Sequence, residues 1–195
     1  MPLPRPPYLP GNYYHFYNRG RSRLSIFHDE QDFMTALRKM NEYVKKFSFA
    51  MIAYCLEPNH YHFLTRQDGE PEARLLPQRV FNGYSKIYNN RYKHAGTIFE
   101  GEYRVKLVDS DRYLSHLCRY IHANPVKDGF VQHPEDWPYS NYRDWIGLRN
   151  GVLLDRPFIQ QRFATPEAYK SYVAHYLRHR QLPVAVEKFL AELME

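Results

Sequence analysis

Residues Phe47–Leu56 (FSFAMIAYCL) form a nearly unbroken apolar run, followed at once by Glu57-Pro58-Asn59 and a second aromatic run from His60 to Thr65. A run of this length suits a strand, and a strand without polar alternation suits a central position covered on both faces. Pro and Asn mark the reversal, so 47–66 reads as a β-hairpin. This hairpin commits the chain to a layered fold, because its apolar faces need helices to cover them.

The flanking sequence supplies those layers. Asn12–Arg19 reads as a strand by its aromatic content, ending at Gly20. Asp29 or Asp32 can cap a helix reaching about Lys46, with Phe33, Leu37, Met40 and Val44 at helical spacing. A second helix is expected over 73–92 (Leu76, Val80, Tyr84, Ile87) and a strand over 103–108. Asp109-Ser110-Asp111 offers cap chemistry for a helix to about Ala123, after which Asn124-Pro125 starts a short helical turn closed by Gly129. The order β-α-β-β-α-β-α predicts an α+β domain with helices packed on a mainly antiparallel sheet. Residues 1–11 hold five of the 14 prolines and read as an extended basic arm. The main domain is expected over 12–149 and a small helical C-terminal appendage over 150–195.

Charge narrows the partners. The 195-residue chain carries +6 with a pI near 9.2, and the excess sits in two blocks, +4 over 1–28 and +5 over 74–106. Basic blocks on both sides of the hairpin form an electrostatic footprint for a polyanion. A solvated basic surface accounts for the charge equally well. The two cysteines, Cys55 and Cys118, stand in apolar contexts without metal-ligand spacing and read as buried thiols of a reducing compartment. No apolar run approaches the ~20 residues that span a bilayer, so a cytosolic protein without a membrane partner is expected.

Two constellations carry chemistry. On a strand, His60 and His62 project to one face about 6–7 Å apart while Tyr61 points away, so two imidazoles can reach one divalent cation with open positions left for substrate oxygens. A lone His-x-His among ten histidines fits half-buried strand residues just as well. His15 could stand beside this pair if the first strand neighbours the third. Glu57, a turn carboxylate before proline, is expected to face solvent. On the 111–123 helix, Tyr120 and Asn124 are four apart and share a face, whereas His122 lies about 200° round from Tyr120. Tyr120 reads either as a core aromatic or as a nucleophile activated by a nearby metal. Asn124 reads either as a cap before Pro125 or as an amide ligand.

At this point the chain resembles a known family. Pro58-Asn59-His60-Tyr61-His62-Phe63 is similar to the His-hydrophobic-His motif of the HUH single-strand nucleases. The run Arg119–Gly129 (RYIHANPVKDG) resembles the nucleophile helix of their single-tyrosine branch. Asp136–Tyr142 (DWPYSNY), Tyr14–Gly20 and Gly101–Arg104 resemble segments of the bacterial REP-associated tyrosine transposases. The resemblance spans roughly 12–145. It implies a ferredoxin-like HUH domain that cleaves single-stranded DNA near hairpins, leaving a 5′-phosphotyrosine and a free 3′-OH, with Mg²⁺ or Mn²⁺ as cofactor. Tyr120 would be the nucleophile, and His60, His62 and Asn124 would hold the metal. Arg5, Arg19, Arg21, Arg23, Arg79, Lys86, Arg91, Lys93, Arg104 and Lys106 would hold the DNA backbone, and Tyr84, Tyr88 and Tyr92 would offer rings for stacking on bases. The resemblance admits a homodimer or a single copy, working in the cytoplasm at the nucleoid. Two alternatives remain: a domesticated sequence-specific DNA-binding protein of the same fold, and a replication-initiator or relaxase-like nickase.

Overall fold

The computed structural model describes residues 6–194. The elements run β1 (Tyr13–Arg19), a 3-10 turn (Arg21–Arg23), α1 (Glu30–Lys46), β2 (Phe49–Glu57), β3 (His60–Gln67), α2 (Leu75–Tyr92), β4 (Arg104–Val108) and α3 (Asp111–Lys127). The helices α4 (Tyr142–Trp145), α5 (Arg156–Arg162), α6 (Pro166–His179) and α7 (Val184–Met194) follow. This is the β-α-β-β-α-β-α order expected. The sheet order is β2-β3-β1-β4, with every neighbouring pair antiparallel, which is the ferredoxin-like arrangement.

Alternation along β1 and β3 divides the sheet into two faces. Tyr14, Phe16, Tyr61 and Phe63 point to the side covered by α1 and α2, where they meet Met40, Phe81 and Tyr84 in one buried cluster. Phe16 stacks on Phe63 at 5.0 Å, and Tyr61 on Phe81 at 3.8 Å. Helix α1 begins there because the Asp29 side chain accepts a hydrogen bond from the Asp32 N–H at 3.1 Å. On the other face Ile52, Cys55 and Leu64 meet Leu117, Cys118 and Ile121 of α3. Tyr169, Val173 and Tyr176 of α6 and Val186 and Leu190 of α7 share that second core. Each fully buried large apolar side chain contributes about 1.5–3 kcal/mol relative to exposure. Both cysteines are buried free thiols, and no helix among the described residues is long and apolar enough to cross a membrane.

The strand expected at the centre of the sheet lies at its edge. β2 is covered on both faces, but its outer side meets a loop instead of a strand. Along that side the Leu56 N–H donates to the Tyr139 carbonyl at 3.0 Å, and Trp137 Nε1 donates to the Leu56 carbonyl at 2.9 Å. A β-bulge between Met51 and Ala53 interrupts the ladder with β3. There Asn141 Oδ1 accepts from the Tyr54 N–H at 2.8 Å, and its Nδ2 donates to the Ile52 carbonyl at 2.9 Å. The edge is thereby closed to other strands.

Helix α3 also departs from expectation. It runs without a break through Asn124-Pro125 to Lys127, so Asn124 is no cap. Proline lacks only the one N–H that would have reached Ile121, and the Asp128 N–H still donates to the Asn124 carbonyl at 2.9 Å. Gly129, at φ +80, ends the run.

Candidate active site

The third strand sets the histidines. β3 pairs His62 with Tyr17 and Cys55, and His60 with Arg19 and Glu57, so all six residues share the α3 face. The His60 and His62 rings lie edge to face at 5.3 Å. His62 is 1 % exposed and stacks on Tyr17 at 4.7 Å. Its Nδ1 is 3.1 Å from His15 Nε2, so His15 does stand beside it, on the neighbouring strand. Burial first, then the charges of neighbouring groups, holds the His62 pKa well below its ordinary value, and the ring is neutral. If Nδ1 donates to His15, Nε2 keeps its lone pair, and this buried nitrogen has no hydrogen-bond partner.

His60 faces two carboxylates. Its Nδ1 lies 2.7 Å from Asn59 Oδ1, an acceptor, so Nδ1 carries the proton. Nε2 then points at Glu57 Oε2 (2.8 Å) and Asp128 Oδ2 (3.8 Å). The contact with Glu57 lacks hydrogen-bond alignment, and Oε2 is left without a partner. Ligand atoms of Glu57, His60 and Asp128 all lie within 4.8 Å of one another. With the ring neutral, a nitrogen lone pair and two carboxylate oxygens converge here, and a nitrogen–oxygen donor set of this kind suits a divalent cation.

Glu57 does not face solvent as the sequence suggested; it is 1 % exposed. The reversal takes only Pro58 and Asn59, so Glu57 still belongs to β2 and sits directly opposite His60. Burial, the largest cause, raises its pKa, and the neighbouring His60 opposes that rise. Sequence reasoning also missed Asp128. The signal was available for both: cross-strand register for Glu57, and the spacing Tyr120, Asn124, Asp128 along one helical face.

Helix α3 lays Tyr120 across this group. Its ring meets His62 edge-on at 5.7 Å, and Lys127 Nζ stands 4.0 Å from the ring centroid. Burial pushes the Tyr120 phenol above its ordinary pKa, and nearby acidic groups push it further. Lys127 is lowered, also by burial first. Lys127 Nζ donates to Asn124 Oδ1 at 3.2 Å, while the buried Asn124 Nδ2 has no partner. As it stands, then, the amide oxygen is engaged by a lysine. A cleft of about 270 Å³ joins Tyr120, Asn124, Lys127 and Asp128 to Tyr17, Arg19, Arg23 and His60. His122 lies off this face as expected: its Nε2 is 2.8 Å from Asn141 Oδ1 and its Nδ1 2.6 Å from the Tyr169 hydroxyl.

The basic residues divide by location. Arg21 and Arg23 are exposed on the 3-10 turn, and Arg19 pairs with Glu100. Arg104 and Lys106 stand opposite Tyr17 and His15 in the β1–β4 register, on the histidine face. Arg79 and Lys86 lie on α2 at the other face, and Lys93 caps that helix in a left-handed conformation. Arg91 is committed to Asp29 and, at 2.7 Å, to Asp32. Arg5 lies outside the described residues. The stacking role expected for the α2 tyrosines finds no support: Tyr84 donates to the Ile26 carbonyl, the Tyr88 hydroxyl meets His28 Nε2 at 2.8 Å, and Tyr92 donates to Asp32 at 2.8 Å. All three are spent on packing and hydrogen bonds around α1.

An antiparallel ferredoxin-like sheet bearing a His-x-His strand under a helix-borne tyrosine defines the HUH class of transposase. Residues 9–124 match the family described as "Transposase IS200 like", and the chain belongs to that family, one of enzymes. Among its relatives, a Haemophilus influenzae protein described as a REP-associated tyrosine transposase is 28 % identical over 140 residues, covering 64 % of this chain and 74 % of that protein. The REP-associated tyrosine transposase of Escherichia coli K12 is 24 % identical over 113 residues, covering 51 % and 64 %. The solved structure of a REP-associated tyrosine transposase bound to a REP hairpin shares the fold, with TM-score 0.62 and 19 % identity over 80 % of this chain and 94 % of that one.

Proposed function

We propose that the protein is a metal-dependent endonuclease and strand transferase for single-stranded DNA flanked by a hairpin, with Tyr120 as its nucleophile. One observation carries this reading: Tyr120, His60 and Asp128 line a single cleft, and the buried Glu57 carboxylate lies within 4.8 Å of the His60 and Asp128 ligand atoms. His60, Glu57 and Asp128 would hold a divalent cation, Mg²⁺ or Mn²⁺, with the His62 Nε2 lone pair as a further donor. Bound there, the cation supplies charge stabilisation at the non-bridging phosphate oxygens. Asn124 enters this set only if Lys127 releases its amide oxygen. The relative bound to a REP hairpin supports hairpin DNA as the substrate class.

Tyr120 gives up its phenolic proton to solvent as Oη attacks the phosphorus, the phosphorus–O3′ bond breaks, and the departing 3′ oxygen takes one proton from solvent to leave as a hydroxyl. The phosphate stays on Tyr120 as a 5′-phosphotyrosine, which preserves the bond energy for rejoining. Lys127, over the tyrosine ring, favours the phenolate that burial disfavours. Arg23, Arg104 and Lys106 stand on the face where the backbone phosphates would run.

The test is a labelled hairpin oligonucleotide with a single-stranded flank, incubated with Mg²⁺ or Mn²⁺ and resolved under denaturing conditions. A covalent protein–DNA band is expected, absent with chelator and absent in Tyr120→Phe, which still binds the DNA. Cleavage that persists in Tyr120→Phe overturns the assignment.

A further inference from the structure

On the sheet face opposite Tyr120, α2 and the loop 97–103 enclose a groove of about 810 Å³. One wall is the polar row Gln78, Arg79, Asn82 and Lys86, which recurs along one side of α2. The other wall carries Gly101, the exposed Glu102 and the half-buried Tyr103. A third cation borders the groove: a Cβ built on Gly83, one of the lining residues, would come within 2.9 Å of Lys39 Nζ. The groove's three bordering cations thus face one carboxylate. Among the described residues no ion pair engages Lys39, Arg79 or Lys86, whereas Arg66, Arg74 and Arg91 are all bound to carboxylates. Free cations interleaved with side-chain amides suit a strand that offers phosphates and unpaired base edges together. A concavity within the roughly 300–1,000 Å³ that takes one drug-sized molecule admits a few splayed nucleotides and not a duplex.

The groove and the cleft lie back to back on the two faces of β1. Asn18 lines the groove, between Tyr17 and Arg19, which line the cleft on the reverse side. Asn18 Nδ2 donates to the Gly101 carbonyl at 3.1 Å, and β4 begins at Arg104 opposite Tyr17, so this end of β1 outruns β4. Beyond β4 the loop itself runs beside Arg19–Arg21, the Glu100 N–H donating to the Arg19 carbonyl at 3.0 Å, so a strand moving between the two faces would round this loop. We propose that this groove binds the single-stranded flank of the DNA, while the cleft holds the phosphate to be cut. This rests on the function proposed above.

The test compares fluorescently labelled hairpins with and without a single-stranded flank, measuring anisotropy in Tyr120→Phe protein so that no adduct forms. Adding Arg79→Ala and Lys86→Ala, both exposed, should weaken flanked-hairpin binding about tenfold at 0.15 M salt. The log–log salt slope should fall by about 1.4, the value for two single-strand phosphate contacts. Flankless hairpin binding should not change, and circular dichroism should confirm the fold. Unchanged affinity for the flanked hairpin, or equal loss for both DNAs, overturns the proposal. Adduct formation in Tyr120-intact protein reports on the cleft alone. A flank effect without adduct therefore supports the groove and sinks the chemistry, while adduct without a flank effect does the reverse.

Discussion

The two faces of the sheet are built from alternate residues of the same strands, yet one is packed ring on ring and the other carries the reactive groups. Toward α1 and α2, Tyr14, Phe16, Tyr61 and Phe63 pack ring on ring. Toward α3 the residues between them are His15, Tyr17, His60 and His62, with Glu57 beside them. Aromatic rings pack in both layers, but in the second layer His62 Nε2 and Glu57 Oε2 have no hydrogen-bond partner among the described residues. An unsatisfied buried polar atom costs about 1–3 kcal/mol, so that face gives up stability which the other retains. The comparison suggests that β3 is one strand with two functions separated only by parity.

Neighbouring substitutions on β3 should split those functions. His62→Ala should lower covalent adduct yield by at least about 100-fold, beyond what loss of a metal's outer partners costs, with a modest change in melting temperature. Phe63→Ala, one residue on, should destabilise the fold by about 3–5 kcal/mol in denaturant titration, while molecules still folded form adduct. If His62→Ala proves the more destabilising of the two, the division of the faces fails.

Acid should strike the α3 side first. Burial, as the largest cause, pushes His122 down to about 4 from 6.5. The unfolded chain therefore takes up that proton near pH 6.5 and the folded chain only near 4. The stabilisation is complete above 6.5 and declines as pH falls toward 4, by up to about 3 kcal/mol. Hydrogen exchange should show α3 and α6 opening before α1 and α2 in this range, and His122→Gln should flatten the pH dependence. The smallest effect belongs to the aromatic core beneath α1 and α2: Tyr84→Phe removes its bond to the Ile26 carbonyl, costs about 1 kcal/mol, and leaves DNA affinity unchanged.

Much of this was legible in the sequence, for reasons tied to period. The β2–β3 hairpin, the amphipathic α1 and α2, and the shared face of His60 and His62 all follow from spacings of two or of three and four. What escaped depended on partners distant in the chain. β2 reads as central because its burial is complete, but the cover on its outer side comes from Trp137 to Asn141. Arg91 counts as free charge until Asp29 and Asp32 are folded against it. The tyrosines of α2 look like stacking platforms until the segment around Ile26 and His28 takes their hydroxyls. Asn124-Pro125 reads as a break because proline usually ends a helix, but one missing N–H near the terminus leaves the remaining bonds intact.

The bond pair on His122 acts like a keyed shaft. Tyr169 from the C-terminal helices holds one nitrogen of the ring and Asn141, itself stapled to the β2 bulge, holds the other. Turning α3 by a single residue, about 100°, would pull that key from both slots at once. The azimuth of Tyr120 over the histidines is therefore set from behind, by residues that never touch the cleft.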